Sequence, residues 1–138
     1  MDYVADDCLL MNTVMAARSM TRRYDEQLRP FGVSVVQFAI LATLARQFDE
    51  PVSRTAERVA TDRTTLLRNL ELLLKKGLVR AVPATRGNGR RFLLSEQGRR
   101  LVTEITPHWQ MAQAELRELL AGHDHQDMLV ALKKLTSG

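Results

Sequence analysis

The sequence predicts a mainly α-helical chain with one small β-hairpin, and three observations carry that expectation. Apolar residues recur at three- and four-residue steps through most of the 138 residues. Helix-capping residues and helix-stopping glycines fall at the ends of those periodic runs. Two short apolar or alternating runs, "LVRAVP" and "RRFLLS", flank "TRGNGRR", a loop with three arginines, two glycines and no acid. At 45% hydrophobic residues the chain can bury a core, and its length fits one compact domain.

The first helix is expected from Asp6 to about Arg29. Leu10, Val14, Ala17, Thr21, Tyr24 and Leu28 form one stripe, while Cys8, Leu9, Met11 and Met15 add apolar surface elsewhere on its first turns. A helix apolar most of the way round needs cover on more than one side. Pro30 and Gly32 end it. Ser34 then caps a second helix, with Val35, Phe38, Leu41, Leu44 and Ala45 facing the core. "DEP" at 49–51 is a break. Ser53 caps a short third helix, "RTAERVA", and a turn follows at about Ala60 and Thr61. Thr61 caps the fourth helix, "DRTTLLRNLELLLKK", which Gly77 stops. The hairpin comes next. Ser95 caps a long helix with the stripe Leu101, Ile105, Ala112, Leu116 and Leu119; Pro107 inside it should kink or break it. "GHDHQ" is a further break, and "DMLVALKKL" is a last short helix.

Two short helices joined by a tight turn and followed by a hairpin make a winged helix-turn-helix. Residues 33–95 form that lobe. Residues 1–32 and 96–138 supply the terminal helices, whose apolar surface needs a partner, as in a symmetric dimer.

Charge is distributed to match. Residues 53–100 hold twelve Lys or Arg against four Asp or Glu, a local charge of +8, whereas the whole chain carries +4. A basic middle between acidic flanks is the footprint of a polyanion-binding module. In helix-turn-helix modules the second helix enters the major groove and its N-terminal residues meet base edges. Here that helix presents Arg63, Thr64, Thr65, Arg68 and Asn69, with Leu66, Leu70 and Leu73 turned inward. Arg pairs with guanine, Asn with adenine, and Thr reaches phosphates or bases. "TRGNGRR" is then the tip of the wing. Gly87 and Gly89 permit the turn, Arg86 or Arg90 is placed to enter a narrow minor groove, and Arg91 to hold a phosphate or brace the hairpin.

Other classes find little support. No phosphate-cradling glycine motif, Cys-x-x-Cys or His-Glu-x-x-His occurs, so neither an enzyme nor a cofactor is expected. The single cysteine excludes an internal disulfide framework and a Cys-rich zinc module. His123, Asp124, His125 and Asp127 cluster, but nothing completes a metal site, and none is expected. The amino terminus carries acids where a secretory signal carries positive charge, and no apolar run approaches the roughly 18 residues of a membrane span. A cytoplasmic protein with no membrane partner is expected.

In these elements the chain resembles the MarR family of bacterial transcription regulators over nearly its whole length. "AARSMTRRYDEQLRPFGVSVVQFAILATLA" is similar to the family's first two helices. "TDRTTLLRNLELLLKKGLVRA" is similar to its recognition helix and first wing strand, and "LLSEQGRRL" to its second strand entering the fifth helix. "KKGLV" and "LSEQG" at this separation are specific together. The resemblance implies a homodimer built by the first, fifth and sixth helices. It also implies a pseudo-palindromic double-stranded DNA operator, repression, and release by a small phenolic or other aromatic effector.

Family members bind effectors between the dimerisation helices and the DNA-binding lobe, which here nominates Met11, Met15, Arg18, Tyr24, His108, Trp109 and Met111. Some relatives sense peroxides through a cysteine near the start of the first helix, which nominates Cys8 for a redox alternative; Asp6 and Asp7 beside it oppose a thiolate. A sequence-indifferent architectural DNA binder is the remaining alternative. The chain departs from the family in two places. Relatives commonly carry an aspartate just before the wing-tip arginine that can orient it; here that position is taken by Thr85 or lost in the loop, and Leu67, Leu72 and Leu74 stand where relatives often have polar residues. Leu67 is expected to pack against its own domain.

Overall fold

The computed structural model describes residues 5–46, 52–85, 87 and 89–137. Six α-helices and one hairpin are described: α1 (Leu9–Leu28), α2 (Val35–Ala45), α3 (Val52–Arg58), α4 (Arg63–Lys75), β1 (Val79–Pro83), β2 (Arg90–Leu94), α5 (Glu96–Leu119) and α6 (His125–Thr136). The order is the one expected. The break at 49–51 lies outside the described residues.

A short 3-10 turn, Ala5–Asp7, precedes α1. Another, Arg29–Phe31, follows it and closes on Gly32, whose φ of 73° suits a residue without Cβ. Ser34 caps α2 in a full capping box with Gln37. Phe38, Ile40 and Leu41 are buried, and Val35, Leu44 and Ala45 pack partly against the same core. Leu66, Leu70 and Leu73 form the inward stripe of α4, and Leu67 is partly buried against its own core.

Two caps differ from expectation. Ser53 lies inside the first turn of α3, which starts at Val52. The cap of α4 is Asp62, not Thr61: its Oδ1 accepts the Thr65 N–H at 2.7 Å and its Oδ2 the Thr65 hydroxyl at 3.0 Å. A carboxylate offers a separate oxygen to each group. Thr61 instead closes the preceding turn, donating its N–H to Ala56 at 3.0 Å past Ala60 at φ 53°.

β1 and β2 pair antiparallel, Val79 opposite Leu94 and Pro83 opposite Arg90. The hairpin is joined to α5 by a tight seam. Ser95 caps α5 by accepting the Gly98 N–H at 3.0 Å, and its hydroxyl donates to the Gly77 carbonyl at 2.7 Å. The Ser95 N–H donates to Leu78 at 3.1 Å. A Cβ on Gly98 would stand 2.1 Å from the Leu78 carbonyl oxygen. "KKGLV" and "LSEQG" therefore touch.

Helix α5 does not break at Pro107. The missing N–H leaves the Thr103 carbonyl without its helical donor, but both residues are exposed, where water can serve. Helix α6 begins two residues before the expected "DMLVALKKL", capped by Asp124, which accepts the Asp127 N–H at 3.0 Å. Among the described residues no single helix is long and apolar enough to cross a membrane; α1 with its 3-10 extension and α2 meet that test only together, as a pair bent by 74°.

Candidate nucleic-acid interface

The first turns of α4 set out the reading residues. Arg63, Thr64 and Arg68 are exposed, and neither arginine has a hydrogen-bond or ion-pair partner among the described residues. Thr65 is committed to the cap. Its N–H and hydroxyl hold the Asp62 carboxyl below the usual carboxylate range, with a smaller contribution from the charge of Arg68. Asn69 is part-buried and engaged at both ends of its amide: Nδ2 donates to the Thr65 carbonyl at 3.0 Å, and Oδ1 accepts from Gln37 at 3.2 Å.

The wing stands beside this helix. Gly87 and Gly89 take φ of 73° and 123°, and the Ala84 N–H donates to the Gly89 carbonyl at 3.1 Å. A Cβ on either glycine would meet nothing within 4 Å, so the turn needs them for backbone conformation, not for close packing. Arg86 lies outside the described residues. Arg90 is held within the protein. Its guanidinium donates to the Glu71 carboxylate of α4 and lies 4.9 Å over the Phe92 ring. Its side chain remains 48% exposed, so it can still face a nucleic-acid backbone. Arg91, one residue on, is part-buried.

Arg90 thus ties the wing to α4. Strand alternation contains the signal: Phe92 and Leu94 are buried, so Arg90 shares their face. Glu71 is the sole acid within α4. Sequence reasoning named neither Glu71 nor Asp62, although a charged partner on the facing helix and an Asx cap were both readable.

No protein-family model matches the sequence, and no curated protein matches it. Solved structures do. The MarR family transcriptional regulator SPO1453 of Silicibacter pomeroyi shares the fold at 20% identity and a TM-score of 0.79, covering 99% of this chain and 98% of that one. Bordetella bronchiseptica BpsR, whose DNA binding is regulated by 6-hydroxynicotinic acid, shares it at 16% identity and 0.82, covering 99% and 96%. The M. tuberculosis transcriptional regulator MosR is similar in sequence too: 32% identity and a TM-score of 0.87, covering 97% of this chain and 96% of that one. Its complex with DNA matches at 32% and 0.82, covering 94% and 93%. The chain belongs to the MarR family of transcriptional regulators.

In this MarR-family chain the seven nominated effector residues are spread along α1 and α5. Tyr24 donates its hydroxyl to Gln113 of α5, and burial raises its pKa above the ordinary value, opposed by the charge of Arg117. His108 meets Phe31 edge to face, with ring centroids 4.9 Å apart. Trp109 packs partly against the core. Met11, Met15, Arg18 and Met111 are exposed. A concavity along the first turns of α5, lined by Glu96, Arg99, Arg100, Thr103 and Glu104, contains none of the seven.

Cys8 is a free, part-buried thiol at the N-cap position of α1. Its carbonyl accepts from the Asn12 side chain at 2.9 Å. Among the described residues no group of three His, Cys, Asp or Glu is placed to hold a metal ion, and Asp124 serves as the cap of α6.

Proposed function

We propose that the protein is a homodimeric repressor that binds a pseudo-palindromic operator and is released by a small aromatic or phenolic effector. The observation that carries this reading is the exposure of Arg63 and Arg68 on the capped start of α4, beside an arginine-bearing wing, inside a segment of charge +8. Exposed arginines at a helix N-terminus can reach base edges while the helix end favours a phosphate. Arg63, Thr64 and Arg68 read bases, and Arg86, Arg90 and Arg91 hold the flanking backbone or minor groove. Dimerisation is supported by the terminal helices: α6 buries no residue, and Leu9, Leu119, Val130 and Leu135 are all exposed. A two-fold dimer sets its recognition helices about one DNA turn apart. Effector release is supported by BpsR, whose DNA binding responds to 6-hydroxynicotinic acid, and by the mixed aromatic and methionine surface of α1 and α5.

The test is selection of bound duplexes from a random DNA pool at near-physiological salt. A two-fold enriched sequence is expected. Binding without enrichment marks a sequence-indifferent architectural protein instead. The enriched duplex then serves to screen aromatic acids for release.

A further inference from the structure

We infer that Asn69 is a positioning residue, held by Gln37, which fixes the first turns of α4 against α2 and leaves base reading to its neighbours. This deepens the proposed function and rests on it. Gln37 belongs to the capping box of α2. Its Oε1 accepts the Ser34 N–H at 3.2 Å, while the Ser34 hydroxyl oxygen accepts the Gln37 N–H at 3.1 Å. That use of the oxygen decides which way the amide faces. Nε2 points away from the cap and donates to Asn69 Oδ1 at 3.2 Å. Asn69 is oriented by the same logic, because its Nδ2 must donate to the Thr65 carbonyl at 3.0 Å. The two amides agree in polarity, and flipping either one sets oxygen against oxygen.

The tie extends in both directions. Thr65 gives its N–H and hydroxyl to Asp62, the cap of α4, at 2.7 and 3.0 Å. At the other end Asp25 of α1 accepts the Val35 N–H at 2.7 Å. Side-chain hydrogen bonds thus link α1, the N-terminus of α2 and the start of the reading helix. A bidentate pair with adenine uses both ends of a carboxamide on an exposed edge. Asn69 is part-buried with both ends engaged, whereas Arg63, Thr64 and Arg68 stand free of it. Base-edge hydrogen bonds demand alignment and phosphate attraction does not, so loosening α4 weakens specific binding more than general binding.

The deciding variant is Gln37→Glu in the full-length protein. Ser-x-x-Glu caps a helix as Ser-x-x-Gln does, so α2 keeps its start, but a carboxylate cannot donate to Asn69. The probes are the duplex that wild type enriches from the random pool and an unrelated duplex, which corrects for the added charge. The ratio of the two affinities is expected to fall about three- to tenfold. Asn69→Leu should match it, and the double variant should be no weaker than either single. Each variant should enrich the wild-type motif base for base, and Gln37→Glu should melt with wild type. The inference is overturned if Asn69→Leu changes the preferred base at one position while Gln37→Glu binds normally, because Asn69 is then a reader. Additive losses, or no loss, overturn it too. A wild type that enriches nothing sinks the sequence-specific reading and this inference with it, a result no variant outcome resembles.

Discussion

Leu70 in α4 is 2% exposed, and Leu135 in α6 is 58% exposed. The same side chain serves two regions with different partners. In the DNA-binding lobe, Leu66, Leu70 and Leu73 share one buried core with Phe38, Ile40 and Leu41 within one chain. The terminal helices carry comparable apolar residues, yet α1 buries only Leu28 among its described positions and α6 buries none. Leu28 of α1 and Ile105 of α5 help close the lobe's core, and the apolar surface the terminal helices leave uncovered suits the proposed two-fold dimer.

The largest effect is expected at the joint between the two regions. Gly98, in the first turn of α5, lies against Leu78 just before β1, and an added Cβ would stand 2.1 Å from the Leu78 carbonyl oxygen and 2.8 Å from Leu94 Cδ1. Backbone cannot yield as a flexible side chain can. Gly98→Ala should destabilise the fold by on the order of 4 kcal/mol. Thermal unfolding measures it, and a melting temperature equal to wild type would disprove the seam.

Next in size is the contrast between the two leucines. Leu70→Ala should cost about 2–5 kcal/mol wherever the chain is measured, because it opens a cavity in a closed core. Leu119→Glu with Leu135→Glu should leave the lobe folded but split the proposed dimer, so that light scattering reports half the mass. A mass unchanged by two new charges would place the interface elsewhere.

Most of this contrast is legible in the sequence, because periodicity reports burial on one face. The inward stripe of α4, the Ser34 and Ser95 caps and the wing strands follow from spacing and turn chemistry. Periodicity does not report which polar side chains find each other across the fold. The hydrogen bond that Gln37 donates to Asn69, thirty-two positions away, carries no signal in the spacing of either helix. Arg90 reads as a free wing-tip cation until Glu71 is found across from it. Asp62 and Thr61 are both good caps, and only the 2.7 Å bond to Thr65 separates them.

Within the lobe, the arginines of helix and wing should differ in kind. Arg68→Ala should cost about 1–3 kcal/mol on the enriched duplex and relax one base position. Arg90→Ala should weaken operator and unrelated duplexes alike, most where the flanks are A·T-rich, and lower the salt slope by about one. Glu71→Gln leaves the Arg90 charge in place but turns its ion pair into a neutral hydrogen bond, and a half-exposed pair contributes less than about 1 kcal/mol to folding. Competition binding against salt separates these, and identical losses for Arg68→Ala and Arg90→Ala would erase the division between reading helix and wing.

The smallest effect belongs to the cap of α4. Hydrogen bonds from the Thr65 N–H and hydroxyl hold the Asp62 carboxyl below its ordinary value of 3.8. A group whose folded pKa is lowered stabilises the fold above its unfolded pKa, and that contribution fades as pH falls from about 3.8 through the lowered value. At neutral pH the cap is fully ionised and adds its charge to the favourable helix N-terminus. Asp62→Asn keeps an acceptor for the Thr65 N–H but has no proton to gain. The wild-type melting temperature should therefore drop further than that of Asp62→Asn between pH 5 and pH 3, with the two curves parallel above pH 6. Curves parallel throughout would mean that the carboxylate caps as a neutral amide does, and that its charge does not stabilise the start of the reading helix.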